Sequence, residues 1–127
     1  MPERPLRDRH ILIVEDEYML ADELRRELGG AGATVLGPVG TVAEALVLAN
    51  SQARIDGAVL DVNLRGEMAF PVADLLVERG VPFVFTTGYD ESIIPDRFAE
   101  ILRYEKPIAV EGLIGALGRM AETGARQ

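Results

Sequence analysis

Four short apolar runs in this chain each lead directly into polar or charged side chains. They are Ile11-Leu12-Ile13-Val14 before Glu15-Asp16, Ala58-Val59-Leu60 before Asp61, residues 81–85 before Thr86-Thr87-Gly88, and the weaker run of residues 101–104 before Lys106-Pro107. Runs of this length are typical of buried strands in a parallel sheet. In open α/β sheets, ligands bind outside the carboxyl ends of the strands. The pattern therefore predicts that three acids, a hydroxyl and a lysine meet at one edge of a sheet.

Apolar residues between these runs recur at helical spacing. Leu20, Leu24 and Leu28 follow one another at intervals of four residues, with charged residues on the other side. Thr41 precedes Glu44 by three residues, which is a capping-box pattern. These signals predict two amphipathic helices in the first half of the chain.

The second half carries weaker helical signals. Helices are predicted from about residue 70 to 79 and from about 110 to 120, whereas Pro95 leaves only a short or mobile element between residues 90 and 100. With a further strand at 34–36, five strands alternate with five helices. We therefore predict an α/β fold, a doubly wound five-stranded parallel sheet of flavodoxin-like order 2-1-3-4-5 with five flanking helices.

The composition suits one compact domain. A chain of 127 residues with 48% hydrophobic content can bury a real core, and we expect a flexible N-terminal arm over residues 1–9, a folded domain over 10–121 and a C-terminal tail over 122–127. No stretch approaches the roughly 18 apolar residues of a membrane span, and the arginines near the start lack the apolar core of a signal peptide. A cytoplasmic protein without membrane partners is expected.

Charge and side-chain inventory exclude several kinds of site. Acids outnumber bases by 21 to 13, giving a net charge of -8, and no basic stripe is present, so nucleic acid is not an expected direct partner. The absence of cysteine excludes disulfides and thiolate metal sites, and His10 alone cannot build a histidine metal site. A metal bound to this chain should have oxygen ligands.

The acids predicted to meet at the sheet edge are Glu15, Asp16 and Asp61. Three carboxylates so close together repel one another unless a cation lies between them, and oxygen ligands favour Mg²⁺ or Mn²⁺ over zinc. Asp61 could then attack a phosphoryl group to form an aspartyl phosphate, with Lys106 and the metal neutralising charge and Thr87 donating its hydroxyl. Taken singly, each residue also fits a turn, a helix cap or a solvated surface position, so the prediction depends on their joint occurrence.

Four motifs, in their order and separations, resemble the receiver domain of two-component response regulators. They are Val14-Glu15-Asp16-Glu17, Leu60-Asp61-Val62-Asn63, Thr86-Thr87-Gly88 and Lys106-Pro107. The resemblance covers the chain from about His10 to Met120 and implies the same five-stranded fold. It also implies a phosphoacceptor signalling domain that is not a conventional enzyme, although it contributes to its own phosphorylation and dephosphorylation.

The resemblance further implies the roles of the acids. Asp61 would be the phosphoacceptor, Asp16 a direct magnesium ligand, and Glu15 a second acid that acts through water. Asn63 would complete the protein's ligands through its main-chain carbonyl.

By the same resemblance, Thr87 would be the switch hydroxyl and Lys106 the phosphate partner, with a cis peptide bond between Lys106 and Pro107. The implied partners are a sensor histidine kinase or a histidine phosphotransfer protein, and a downstream protein target. No further domain is expected after Gly124, so the signal would leave through protein contacts or a phosphorelay.

A narrower resemblance is to the FAT GUY group of receivers, which are often single-domain proteins. It is carried by Gly37-Pro38-Val39-Gly40, by Asp61-Val62-Asn63-Leu64 followed by Gly66-Glu67, and by residues 81–89. Within the signature that names the group, Thr86 replaces an alanine and no spacer precedes Tyr89.

Three features depart from the common receiver pattern. Glu15 stands where many receivers carry a first aspartate, Pro95 lies in the fourth helix region, and the third departure concerns the switch aromatic. Many receivers carry a Tyr or Phe three residues before the lysine, coupled to the threonine, whereas this chain has Arg103 there. Tyr104 and Tyr89 are candidate substitutes, although simple packing explains both tyrosines equally well.

Two other classes of protein remain open. A haloacid-dehalogenase-type phosphohydrolase also uses an aspartate after a strand, but it carries a second acid two positions later, where this chain has Asn63. A receiver-like binding module that never takes phosphate would act through fixed contacts. Mg²⁺-dependent labelling by a small phosphodonor distinguishes all three classes.

Overall fold

The computed structural model describes residues 4–88 and 94–124. The strands are β1 (His10–Val14), β2 (Thr34–Val39), β3 (Gly57–Asp61), β4 (Asn63–Leu64), β5 (Glu67–Met68), β6 (Phe83–Thr87) and β7 (Arg103–Glu105). The helices are α1 (Tyr18–Gly30), α2 (Val42–Ser51), α3 (Phe70–Glu78) and α4 (Val110–Gly124), with a 3₁₀ turn at Asp96–Phe98. No helix in these ranges is long and apolar enough to cross a membrane.

Five strands form one parallel sheet in the order β2-β1-β3-β6-β7, which confirms the predicted flavodoxin-like order. The β4–β5 hairpin after β3 was not predicted. The described residues hold four α-helices rather than the five predicted, with only the 3₁₀ turn in the fourth position, because Pro95 cannot continue a helix ladder. At the other end, α4 extends to Gly124, into the tail predicted from residue 122.

Each face of the sheet is buried under a pair of helices. Because side chains alternate along a strand, Leu60 and Phe85 face α2 and α3, whereas Val59 and Val84 face α1 and α4. All four side chains are fully buried. The centres of β1, β3 and β6 are therefore apolar and buried, and the polar residues of these strands lie at their ends.

The capping box predicted at the start of α2 is confirmed. The Glu44 N–H donates to Thr41 Oγ1 (3.1 Å), and Glu44 Oε1 accepts from the Gly40 N–H (3.4 Å). These bonds satisfy backbone donors at the helix start and fix the turn that follows β2.

The N-terminal segment differs from the prediction of a flexible arm over residues 1–9. Leu6 is fully buried with the α1–α4 face, and its N–H donates to the Ala31 carbonyl (3.0 Å). Pro5 lies so close to α4 that a Cβ on Gly118 would come within 3.0 Å of the Pro5 carbonyl oxygen. The flexible-arm prediction is therefore wrong around Leu6, because burying this side chain offsets the entropy of ordering the segment.

Candidate functional site

The predicted site residues meet at one edge of the sheet, where β1, β3, β6 and β7 end. Asp61 is the last residue of β3 and pairs in register with Thr86. Glu15 directly follows β1, and Lys106 directly follows β7. The Lys106 N–H donates to the Thr87 carbonyl (2.9 Å), which joins the two predicted phosphate-binding residues.

The acids form a compact cluster. Glu15, Asp16 and Asp61 each offer a carboxylate oxygen within 4.8 Å of the others. Glu15 and Asp61 are each only 3% exposed. Glu15 Oε1 is buried and accepts no hydrogen bond from any described residue. Buried polar atoms are nearly always satisfied, so this oxygen and the surrounding carboxylates fit an oxygen-liganded divalent cation such as Mg²⁺.

Lys106 balances part of this negative charge. Its Nζ lies 3.1 Å from Glu15 Oε2, 3.0 Å from Asp61 Oδ2 and 2.7 Å from Glu17 Oε1. Burial alone would lower the pKa of Lys106, but these three carboxylates raise it above its usual value, so the ammonium stays charged. The cis bond expected between Lys106 and Pro107 is confirmed.

The Asp61 carboxyl is strongly perturbed. Burial first, and then repulsion by Glu15, raise its pKa to about 7 against the opposing effect of Lys106. The Asn63 N–H donates to Asp61 Oδ1 (3.1 Å), which fixes the orientation of the carboxylate. A carboxyl poised near neutral pH and beside two further acids is typical of a functional site.

Thr86 and Thr87 occupy opposite faces of β6, and they differ accordingly. Both are buried, and neither Oγ1 has a hydrogen-bond partner within the described part of the chain. Only Thr87 lines the cleft of about 750 Å³ that Asp61 and Lys106 also line. Of the two threonines, Thr87 is therefore the one that lies on the side of Asp61 and Lys106.

The β4–β5 hairpin closes one side of the cleft. Asn63 lines the cleft and accepts a hydrogen bond through Oδ1 from the Gly66 N–H (2.6 Å). Arg65, at the hairpin turn, places Nε 3.4 Å from Asp16 Oδ2. Sequence reasoning assigned no role to Arg65 or to Glu17, and nearness to Asp61 and to the acid pair was the only available signal.

Arg103 occupies the position of the usual switch aromatic, and Tyr104 and Tyr89 are its candidate substitutes. Arg103 pairs in register with Phe85, on the face toward α2 and α3. Tyr104 packs with the α1–α4 cluster, on the opposite face from Phe85 and hence from Thr87, two residues further along β6. Tyr104 is therefore not placed to follow Thr87, and Tyr89 lies outside the described residues.

The segment before β7 is held by aromatic packing and one ion pair. The buried Phe98 ring stacks on Phe70 (centroids 5.7 Å apart) and meets Phe85 edge-on (5.6 Å). Arg97 makes a bidentate pair with Asp74 of α3, with both N–O distances 3.0 Å. These contacts connect the 3₁₀ turn to α3, directly beside the strand that carries Thr87.

Comparisons with known proteins agree with this architecture. No protein-family model matches the chain. The chain is 42% identical to SdrG from Sphingomonas melonis Fr1, whose solution structure matches 88% of this chain and 95% of SdrG with a TM-score of 0.77. The BeF3-activated conformation of SdrG matches with a TM-score of 0.71, at 38% identity over 95% of this chain and 99% of that one.

Two further relatives extend the comparison. A response regulator receiver protein from Sinorhizobium medicae WSM419 is 26% identical, with a TM-score of 0.78 over 91% of this chain and 96% of that one. The phyllosphere-induced regulator PhyR of Methylorubrum extorquens is 35% identical over 86 residues, which are 66% of this chain. The aligned segment spans only 32% of the length of PhyR.

Proposed function

Since the chain belongs to the family of response-regulator receiver domains, we propose that it acts as a receiver of the FAT GUY type whose Asp61 accepts a phosphoryl group from a histidine kinase or histidine phosphotransfer protein. The observation that carries the proposal is the setting of Asp61. Its carboxylate is buried at the end of β3, contacts Lys106, lies beside Glu15 and Asp16, and lines an open cleft.

In the transfer step, an oxygen of the Asp61 carboxylate attacks the phosphorus of a phosphohistidine. An O–P bond forms and the N–P bond breaks, its electron pair passing to the imidazole nitrogen, which then takes up a proton. Only the ionised carboxylate is a nucleophile. Burial raises the pKa of Asp61 in the metal-free protein, and a bound cation would favour the ionised, reactive form. Lys106 would hold the transferred oxygens, and the Thr87 hydroxyl would donate to one of them.

Glu15, Asp16, Asp61 and the main-chain carbonyl of Asn63 are the proposed ligands of a Mg²⁺ or Mn²⁺ ion. When bound, the ion would supply positive charge to the phosphoryl oxygens. The support for this site is the grouping of three carboxylates within 4.8 Å, which includes the buried Glu15 oxygen that no described group contacts. Lys106 contributes one positive charge to Glu15 and Asp61, and Arg65 Nε lies 3.4 Å from Asp16 Oδ2.

The proposed partners are a histidine kinase upstream and a protein target downstream, in the cytoplasm. Tyr18 and Met19 begin α1, next to the acid cluster, and are more than 80% exposed. Two large, exposed side chains beside the acceptor suit contact with a protein donor. Comparing initial transfer rates from purified histidine kinases would identify the donor.

The decisive experiment is labelling by acetyl phosphate with Mg²⁺, followed by phosphate-affinity electrophoresis. We expect one hydroxylamine-sensitive phosphate per chain, lost in EDTA and in Asp61→Asn but retained in the control Asp96→Asn, an exposed acid on the 3₁₀ turn. Continuous phosphate release without a stable phosphoprotein would favour the hydrolase, and an unlabelled protein would favour the binding module. Undiminished labelling of Asp61→Asn would refute the acceptor assignment.

A further inference from the structure

Arg65 adopts a backbone conformation that its side chain disfavours. It is the first of the two residues that join β4 to β5, with a φ of 55°, and Gly66 follows with a φ of 91°. Positive φ at both positions is the type I′ pattern, whose first position favours Asn, Asp or Gly. Strained backbone of this kind clusters at functional sites, which makes the Arg65 side chain a candidate for a role in function.

The hairpin imposes this conformation on Arg65. Leu64 is buried and pairs in register with Glu67 across the turn. Asn63 Oδ1 accepts from the Gly66 N–H at 2.6 Å, inside the same turn. These contacts fix the hairpin after β3, so the arginine is presented from a held backbone rather than from a free loop.

The strained backbone of Arg65 holds its guanidinium group close to Asp16 and to the cleft. Arg65 Nε lies 3.4 Å from Asp16 Oδ2, and its side chain is 80% exposed whereas that of Asp16 is 14% exposed. An ion pair through Nε engages only part of the five N–H donors of a guanidinium. Arg65 also lines the cleft that Asp61 and Lys106 line.

A phosphodonor entering this cleft approaches an acidic environment. The acids are Glu15, Asp16, Glu17 and Asp61, in a chain whose net charge is -8. Among the described residues that line the cleft, the basic side chains are Lys106 and Arg65. Lys106 already contacts three carboxylates, so Arg65 is the more accessible of the two cations.

We propose that Arg65 is a binding residue for the phosphodonor, which contacts the anionic phosphoryl oxygens of a phosphorylated imidazole or an acyl phosphate at the mouth of the cleft. The proposal rests on the proposed function. The planar fork of a guanidinium matches two phosphoryl oxygens, and its charge offsets the repulsion of the surrounding acids. Because Arg65 would contact the donor while it binds, this contact should govern the rate of phosphorylation at low donor concentration.

The test compares initial labelling rates with acetyl phosphate and Mg²⁺. Arg65→Asn removes the charge with a residue that tolerates positive φ, and Arg65→Lys keeps the charge without the fork. Arg54→Asn is the matched control, because Arg54 is an exposed arginine that is ion-paired with Asp56 (3.0 Å) just before β3.

At low donor concentration we expect Arg65→Asn to react about tenfold more slowly, the effect of losing one charged hydrogen bond. Arg65→Lys should react at an intermediate rate, and Arg54→Asn at the wild-type rate. The urea midpoint of Arg65→Asn should equal or exceed that of the wild type, because the backbone strain is relieved.

Equal labelling rates for Arg65→Asn and the wild type would overturn the role of Arg65 alone. So would a slower rate accompanied by a lower urea midpoint, which would indicate a structural role. A wild-type protein that takes no label from acetyl phosphate would overturn the proposed function, and this inference with it.

Discussion

The two halves of the sheet edge are built differently. On one side, β1 and β3 are five-residue strands, and they place Glu15 and Asp61 almost entirely out of water. On the other side, β7 has three residues, none of them fully buried, and a 3₁₀ turn stands where an α-helix would be expected. The two buried acids lie at the ends of continuous buried strands, whereas Lys106 follows the short β7 and the segment beside Thr87 depends on a few specific contacts.

The most damaging single change should fall in the second half. We expect Phe98→Ala to lower the free energy of unfolding by about 3 to 5 kcal/mol, because it removes the ring that packs against Phe70 and Phe85. Urea denaturation provides the measurement. Leu102→Ala, a half-exposed neighbour, should change it by no more than about 0.5 kcal/mol. A loss of less than about 1 kcal/mol in Phe98→Ala would show that this segment does not depend on the aromatic cluster.

The side formed by β1 and β3 should respond in the opposite direction, because removing the charge of the Asp61 carboxylate should stabilise the fold. The pKa of Asp61 rises from 3.8 to about 7, so the metal-free folded protein binds a proton more tightly than the unfolded chain does. The free energy of unfolding should therefore fall as pH rises between these two values and level off above about 7. Asp61→Asn should abolish this slope and add about 1 to 3 kcal/mol at pH about 8.

Urea titrations in EDTA at several pH values measure this effect. Saturating Mg²⁺ should flatten the slope in the wild type, because a bound cation favours the ionised carboxylate. If Asp61→Asn kept the wild-type slope in EDTA, the Asp61 carboxylate would not be the cause of the loss of stability with rising pH.

A smaller effect is expected at the ion pair between Arg97 and Asp74. Both side chains are about half exposed, so Arg97→Ala should shift the urea midpoint much less than Phe98→Ala does. Amide hydrogen exchange over residues 94–102 should nevertheless accelerate, because the bidentate pair ties this segment to α3. Arg25→Ala, which breaks an exposed pair with Asp22 on α1, should leave that exchange unchanged. Similar exchange rates in Arg97→Ala and Arg25→Ala would show that the pair between Arg97 and Asp74 does not hold this segment.

The smallest effect is expected from Tyr104→Phe. Tyr104 lies on the opposite face of the sheet from Thr87, so losing its hydroxyl should not alter the amide NMR shifts that beryllofluoride and Mg²⁺ induce. Thr87→Ala should diminish those shifts, since Thr87 lines the cleft beside Asp61 and Lys106. If Tyr104→Phe reproduced the effect of Thr87→Ala, the two faces of the sheet would be coupled.

This division also explains what the sequence could predict. Continuous apolar strands carry a strong local signal, and the ends of β1 and β3 place Glu15 and Asp61 at one edge through topology alone. The contact between Glu17 and Lys106 joins residues 89 positions apart and depends on side-chain reach, which no pattern encodes. Strands of two residues, such as those that present Arg65, are too short to show alternation.

The second half was less predictable for a different reason. Pro95 signalled a broken helix, but a single aromatic residue gives no indication of which rings it will meet. Phe98 packs against Phe70, 28 positions earlier, and only the folded chain shows that contact. Likewise, Leu6 is a lone apolar residue among charged neighbours, which reads as a solvated arm.

The burial of Leu6 bears on how the protein should be handled. A shortened protein that began at His10 would leave a hole beside α1 and α4, with a cost of about 2 to 5 kcal/mol for the missing leucine. A purification tag or fluorophore attached just before Pro5 would sit against Gly118, in the middle of α4. The segment around Leu6 thus covers one helix pair, and labels placed there would report on α4 rather than on a free end.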